Sequence, residues 1–130
     1  MIDSTVQRLL EQVIDSPIKL QLLLTYYENP RMEGTAFQIA ERIYRDIWSA
    51  REALRELAED GILATVGVGP EPVYRYRPRP EYIEPIFRLV QSYNEPFERD
   101  QLQRLLREVA SYAPYRRATY GDFFFKRSNV

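Results

Sequence analysis

At 130 residues, 45% hydrophobic and 28% charged, the chain has the size and balance of one globular domain that buries its own core without a staple. It contains no cysteine and no histidine. That excludes disulfides, thiolate or imidazole metal sites, a cysteine nucleophile and a histidine-based catalytic triad. The formal net charge of −1 excludes a grip on nucleic acid by bulk charge, so any basic surface must be local.

Sixteen of the eighteen basic residues are arginine, the side chain suited to bidentate contacts with carboxylates, phosphates and guanine edges. Positive charge gathers in two places. Between residues 61 and 80, Arg75, Arg77 and Arg79 meet one acid, Glu71; the tail after residue 113 is also basic. The N-terminus carries Asp3, Glu11 and Asp15 and lacks the basic start and unbroken apolar run of a signal peptide. Apolar runs such as Leu22–Leu24 are far too short to span a membrane. These features predict a cytoplasmic protein without a membrane partner.

In chain order, Ser4 is a plausible cap for a helix over 4–15, with Val6, Leu9, Leu10, Val13 and Ile14 at helical spacing. Ser16-Pro17 opens a second helix, apolar on most sides and ended by Pro30. Residues 30–34 read as a loop. Thr35 and Gln38 fit a capping box for a short helix whose apolar stripe is Phe37, Ile39, Ala40 and Ile43. The stripe slips at Arg45-Asp46, which predicts a turn. Asp46 or Ser49 then caps a helix with Ala50, Ala53, Leu54, Leu57 and Ala58 inward and Gly61 ending it.

The period next changes from helical to alternating. Residues 62–68 and 73–77 predict a β-hairpin around Gly69-Pro70-Glu71-Pro72, with Tyr74 and Tyr76 on one face and Val73, Arg75 and Arg77 on the other. Pro78 and Pro80 stop it. Helices follow over 84–93, with Ile86, Phe87, Leu89 and Val90 inward, and over 96–112, which brings Phe97, Leu102, Leu105, Leu106, Val109 and Tyr112. Pro85 reads as a first-turn residue. The tail, with Tyr115, Tyr120 and Phe123-Phe124-Phe125, has no clear period.

Three helices and then a hairpin, within residues 16–80, resemble the winged helix-turn-helix domain of bacterial transcription regulators. Thr35 to Ile43 looks like the first helix of the helix-turn-helix, with small Ala40 allowing close approach of the next. Ala50 to Leu63 is similar to the recognition helix and first wing strand: leucines at 54 and 57, the acids Glu59 and Asp60, Gly61, then Ile62 and Leu63. Val73-Tyr74-Arg75-Tyr76 resembles the returning wing strand. The resemblance covers half the chain. It departs from the pattern at Ile47 and Trp48, where small polar residues are usual, and in the acids Glu52, Glu56, Glu59 and Asp60 beside Arg51 and Arg55.

The expected fold is therefore mainly α with a small β-hairpin. It comprises one domain over 1–130, a winged helix-turn-helix core at 16–80, an extra N-terminal helix, and C-terminal helices and aromatic tail at 81–130 as a candidate dimerisation region. The resemblance implies a homodimeric, sequence-specific regulator that binds double-stranded DNA. Ser49, Arg51, Glu52 and Arg55 would read bases in the major groove, since arginine pairs guanine and glutamate accepts from cytosine. Arg75, Arg77 and Arg79 would hold the backbone, and Arg42 and Arg45 would add phosphate contacts. The opposing readings are a solvated helix face of Glu–Arg pairs and an edge strand guarded by charge. Trp48 could stack on a base or anchor a partner, although burial statistics favour packing it into the turn. The Phe123–Phe125 run would cover the domain's own helices or a second copy.

The alternative is a winged-helix module that binds a protein partner and no DNA. A weaker third idea is a regulator with a tyrosine-lined effector pocket between the C-terminal helices and the core. No enzyme and no cofactor is expected. The carboxylates are scattered through amphipathic helices, and Gly67-Val68-Gly69 lacks the lysine and helix start of a phosphate loop.

Overall fold

A computed structural model describes the backbone of residues 2–128 and the side chains of residues 2–117. The described residues are mainly helical, with a small three-stranded antiparallel sheet. The elements run α1 (Ser4–Gln12), α2 (Pro17–Glu28), β1 (Glu33–Gly34), α3 (Ala36–Arg42), α4 (Ile47–Glu59), β2 (Leu63–Val66), β3 (Val73–Tyr76), α5 (Pro80–Asn94) and α6 (Pro96–Ser128).

Local chemistry explains most of these boundaries. Ser16 accepts from the Lys19 N–H, with Pro17 in the first turn of α2. Thr35 and Gln38 form the expected reciprocal capping box on α3. Asp46 caps α4 by accepting from the Ser49 N–H at 2.8 Å. Gly61, at φ +91°, follows α4 in the left-handed conformation that glycine adopts without steric cost.

Several boundaries differ from the sequence reading. Asp3, not Ser4, caps α1, accepting from the Thr5 N–H at 2.6 Å, and α1 ends at Gln12. The 30–34 segment is not all loop: β1 pairs with β3, Glu33 opposite Arg75 and Gly34 opposite Tyr74, so the hairpin becomes a sheet ordered β1-β3-β2. Pro80 starts α5 rather than merely stopping the hairpin, which leaves Pro85 inside the helix. The aperiodic tail is the C-terminal part of α6, which continues through Pro114 to Ser128. Proline lacks an N–H, so the Ala110 carbonyl has no i+4 donor there. The Phe123–Phe125 side chains lie outside the described residues.

One core joins all six described helices, with Leu10, Ile14, Leu22, Leu23, Ile39, Leu54, Leu57, Ile86, Leu89 and Leu102 fully buried. Tyr74 seals the sheet against it, and Tyr76 stacks on Tyr26 with centroids 5.9 Å apart. Burial pushes the Tyr76 hydroxyl up to about 12. No described helix is long and apolar enough to cross a membrane.

Candidate nucleic-acid interface

The two faces of α4 have opposite fates. Ala50, Ala53, Leu54 and Leu57 are buried, and small Ala40 of α3 is buried with them. Ser49, Arg51, Glu52 and Arg55 are exposed, as the spacing requires, and so is Trp48. The hairpin flanks this outer face. Glu71, in the loop between β2 and β3, lies 3.9 Å from the Arg51 guanidinium, whose carbon stands 5.8 Å from the Trp48 ring centroid. Trp48 is 73% exposed. The expectation that it packs into the turn is wrong, because the inward positions of α4's first turns are taken by Ala50, Ala53 and Leu54.

Arg75 is exposed on β3, between Glu33 of β1 and Ala64 of β2 in the register. Arg77 is exposed just beyond β3, its backbone N–H donating to the Ile62 carbonyl. Arg42 is exposed in the last turn of α3. None of these three makes an ion pair among the described residues. Arg45 is also exposed, and it is tethered. It donates to the Gln21 side chain at 3.1 Å, while the Gln21 amide donates to the Ile43 carbonyl at 3.0 Å. Gln21 therefore pins the α3–α4 turn to α2.

Arg79 does not join the hairpin arginines. It precedes α5, and its side chain fills the space that a Cβ on Gly61 would need. Arg55 is committed too: it donates to Glu59 at 2.7 Å and lies 3.9 Å from Glu56. The backbone hydrogen bond from Ser49 holds the Asp46 carboxyl below its usual range, so the cap is charged at neutral pH.

Two further aromatic side chains, on α3 and the α3–α4 turn, are exposed and were not assigned to any site. Phe37, placed on the inner stripe of α3, is 60% exposed, and Tyr44 is 93% exposed at φ +59°. The signal at Phe37 was its two-residue offset from Ile39, which puts the two on opposite sides of a helix. Tyr44 gave none, since tyrosine does not favour left-handed backbone.

A second, unforeseen cluster lies behind α4. Buried Asp15 accepts from Lys19, Arg116 and Arg117, each at 2.7 Å. Lys19 also pairs with Glu56 of α4, and Arg117 donates to Asp60 at 2.8 Å. Three acids and three bases thus tie α6 to α2 and to the C-terminal end of α4. A groove of about 380 Å³ between α2 and α6 is lined by Leu20, Gln21, Leu24, Tyr93, Leu106 and Arg107 among others. It contains one tyrosine, so it is not the tyrosine-lined pocket expected there.

Compared with protein-family models, curated proteins and solved structures, the chain matches nothing.

Proposed function

We propose that residues 16–80 form a winged helix-turn-helix that binds double-stranded DNA, with the outer face of α4 in the major groove and the β2–β3 hairpin on the flanking backbone. The observation that carries this reading is the placement of exposed Ser49, Arg51 and Glu52 beside a hairpin that presents Arg75 and Arg77. The element order from α2 to β3 and the strand order β1-β3-β2 support it. Ser49, Arg51 and Glu52 face the bases, while Arg42, Arg45, Arg75 and Arg77 meet phosphates. Regulation of transcription is the function such binding would serve.

The test is binding to a pool of random duplex DNA by anisotropy at about 50 and about 200 mM salt. Affinity should fall steeply with salt. The Arg75→Ala, Arg77→Ala double variant should weaken binding of all sequences and reduce the salt slope by about 2. No binding at the lower salt sinks the reading for the unliganded protein.

The protein acts as a homodimer in this proposal. Ile83 and Phe87, four residues apart on α5, are exposed, Phe87 against the expectation that it faces inward, and so are Tyr112 and Tyr115 on α6. Light scattering should give twice the chain mass, and Phe87→Arg should shift it toward the monomer. A monomeric wild type would remove the two-fold geometry from the reading.

One observation favours a second reading, a protein-interaction module. The two arginines of α4's outer face each have an acidic neighbour, Arg51 with Glu71 and Arg55 with Glu59.

A further inference from the structure

Phe37, Tyr44 and Trp48 are 60%, 93% and 73% exposed on one short stretch of chain, α3, the turn and the start of α4. Major-groove readout needs hydrogen-bonding side chains and gives three large rings nothing to do. Tyr44 also occupies a backbone position, φ +59°, that glycine takes freely and tyrosine does not. Arg42, Arg45 and Arg51 are exposed on the same stretch of chain, and the Arg51 guanidinium lies 5.8 Å from the centroid of the Trp48 ring. Aromatic faces interleaved with arginine suit bases freed from pairing, because every base offers a π-face and every nucleotide a phosphate.

The acids of the same stretch sharpen the argument. Glu41, Asp46 and Glu52 are exposed there, and Glu71 sits across from Arg51. They offset much of the arginine charge, so phosphate attraction at this end of the surface is weak. Binding must then draw on contacts that charge does not screen, and stacking is one of these.

We propose that this face recognises DNA in which unpaired bases adjoin a duplex. Tyr44 and Trp48 stack on the unpaired bases, and Arg75 and Arg77 of the hairpin hold the duplex backbone. The inference rests on the DNA-binding reading above and names its substrate class. The hairpin decides for nucleic acid over an apolar protein partner, since its Arg75 and Arg77 are exposed without ion-pair partners among the described residues and Arg51 lies beside the Trp48 ring.

Trp48 is the only tryptophan in the chain, so its emission reports this face alone. The full chain is titrated with a blunt duplex, the same duplex carrying a single-stranded overhang, and the single strand, following labelled-DNA anisotropy and tryptophan emission. The overhang duplex should bind tightest and quench the emission. Trp48→Ala and Tyr44→Gly should each weaken overhang binding roughly 5- to 100-fold and leave blunt-duplex binding unchanged. Both positions are exposed, and glycine suits the backbone at 44, so thermal melts should show both variants folded. Equal binding of blunt and overhang duplexes with unmoved emission overturns the inference and leaves the duplex reading standing. Overhang preference that survives both variants overturns the assignment to this face. Binding to none of the three overturns both proposals and gives the face to a protein partner.

Discussion

Asp15→Ala should destabilise the fold by about 3–5 kcal/mol, as expected when one member of a buried ionic group is removed. Asp15 is 2% exposed and accepts hydrogen bonds from Lys19, Arg116 and Arg117. Lys19 is equally buried. Without the carboxylate, Lys19 keeps only Glu56 among the described residues, and Arg117 keeps Asp60 and a longer approach to Glu56 at 3.4 Å. A loss of that size is a large share of the roughly 5–15 kcal/mol that a domain has in total. Chemical denaturation at neutral pH measures it. The Asp15→Ala, Lys19→Met double variant should recover part of the loss, because desolvating an unmatched ammonium is then no longer required. A loss under about 1 kcal/mol for the single variant would mean that the cluster does not hold the helices together.

The same carboxylate sets a pH dependence. Burial alone would raise the Asp15 carboxyl, but hydrogen bonds from Lys19 and Arg117 outweigh burial and hold it below its usual range. A carboxyl depressed in the folded state contributes stability above the unfolded value of about 3.9, and the contribution is lost as pH falls through the folded value. Asp3, which accepts from the Thr5 N–H and from Arg88, has the same sign. Stability of the wild type should therefore decline below about pH 4, and Asp15→Ala should flatten that decline.

Elements whose signals are local were legible in the sequence. The capping box at Thr35 and Gln38, the Ser16-Pro17 start, the Asp46 cap and the alternation of Val73 to Tyr76 each depend on residues within a few positions. What was not legible depends on distant partners. Strand β1 is two residues long and exists because β3, about forty residues on, supplies its hydrogen bonds. The ionic cluster joins Asp15 to Arg116 and Arg117 across the chain, and no spacing rule reaches that far. The outer face of α4 was readable from its period. The exposure of Trp48 was not, because burial statistics describe tryptophan in general and α4 fills its inward positions with alanine and leucine. Arg79 was grouped with Arg75 and Arg77 by alternation, but the chain turns into α5 at that residue and the alternation ends.

Leu57→Ala should cost about 2–5 kcal/mol, the loss of transferred surface plus the cavity left behind. Leu57 is completely buried on the inner face of α4, one turn beyond Ala53 and Leu54, where the helix meets the core. Glu52→Ala, on the exposed face of the same helix, should change stability by less than about 0.5 kcal/mol. Denaturant midpoints with an unchanged slope distinguish the two. The contrast matters for function, because a side chain that supports no packing can change DNA binding only through the surface it presents. Equal stability losses at both positions would mean that α4 is not anchored by one face, and no substitution on it could then be read as a change in binding alone.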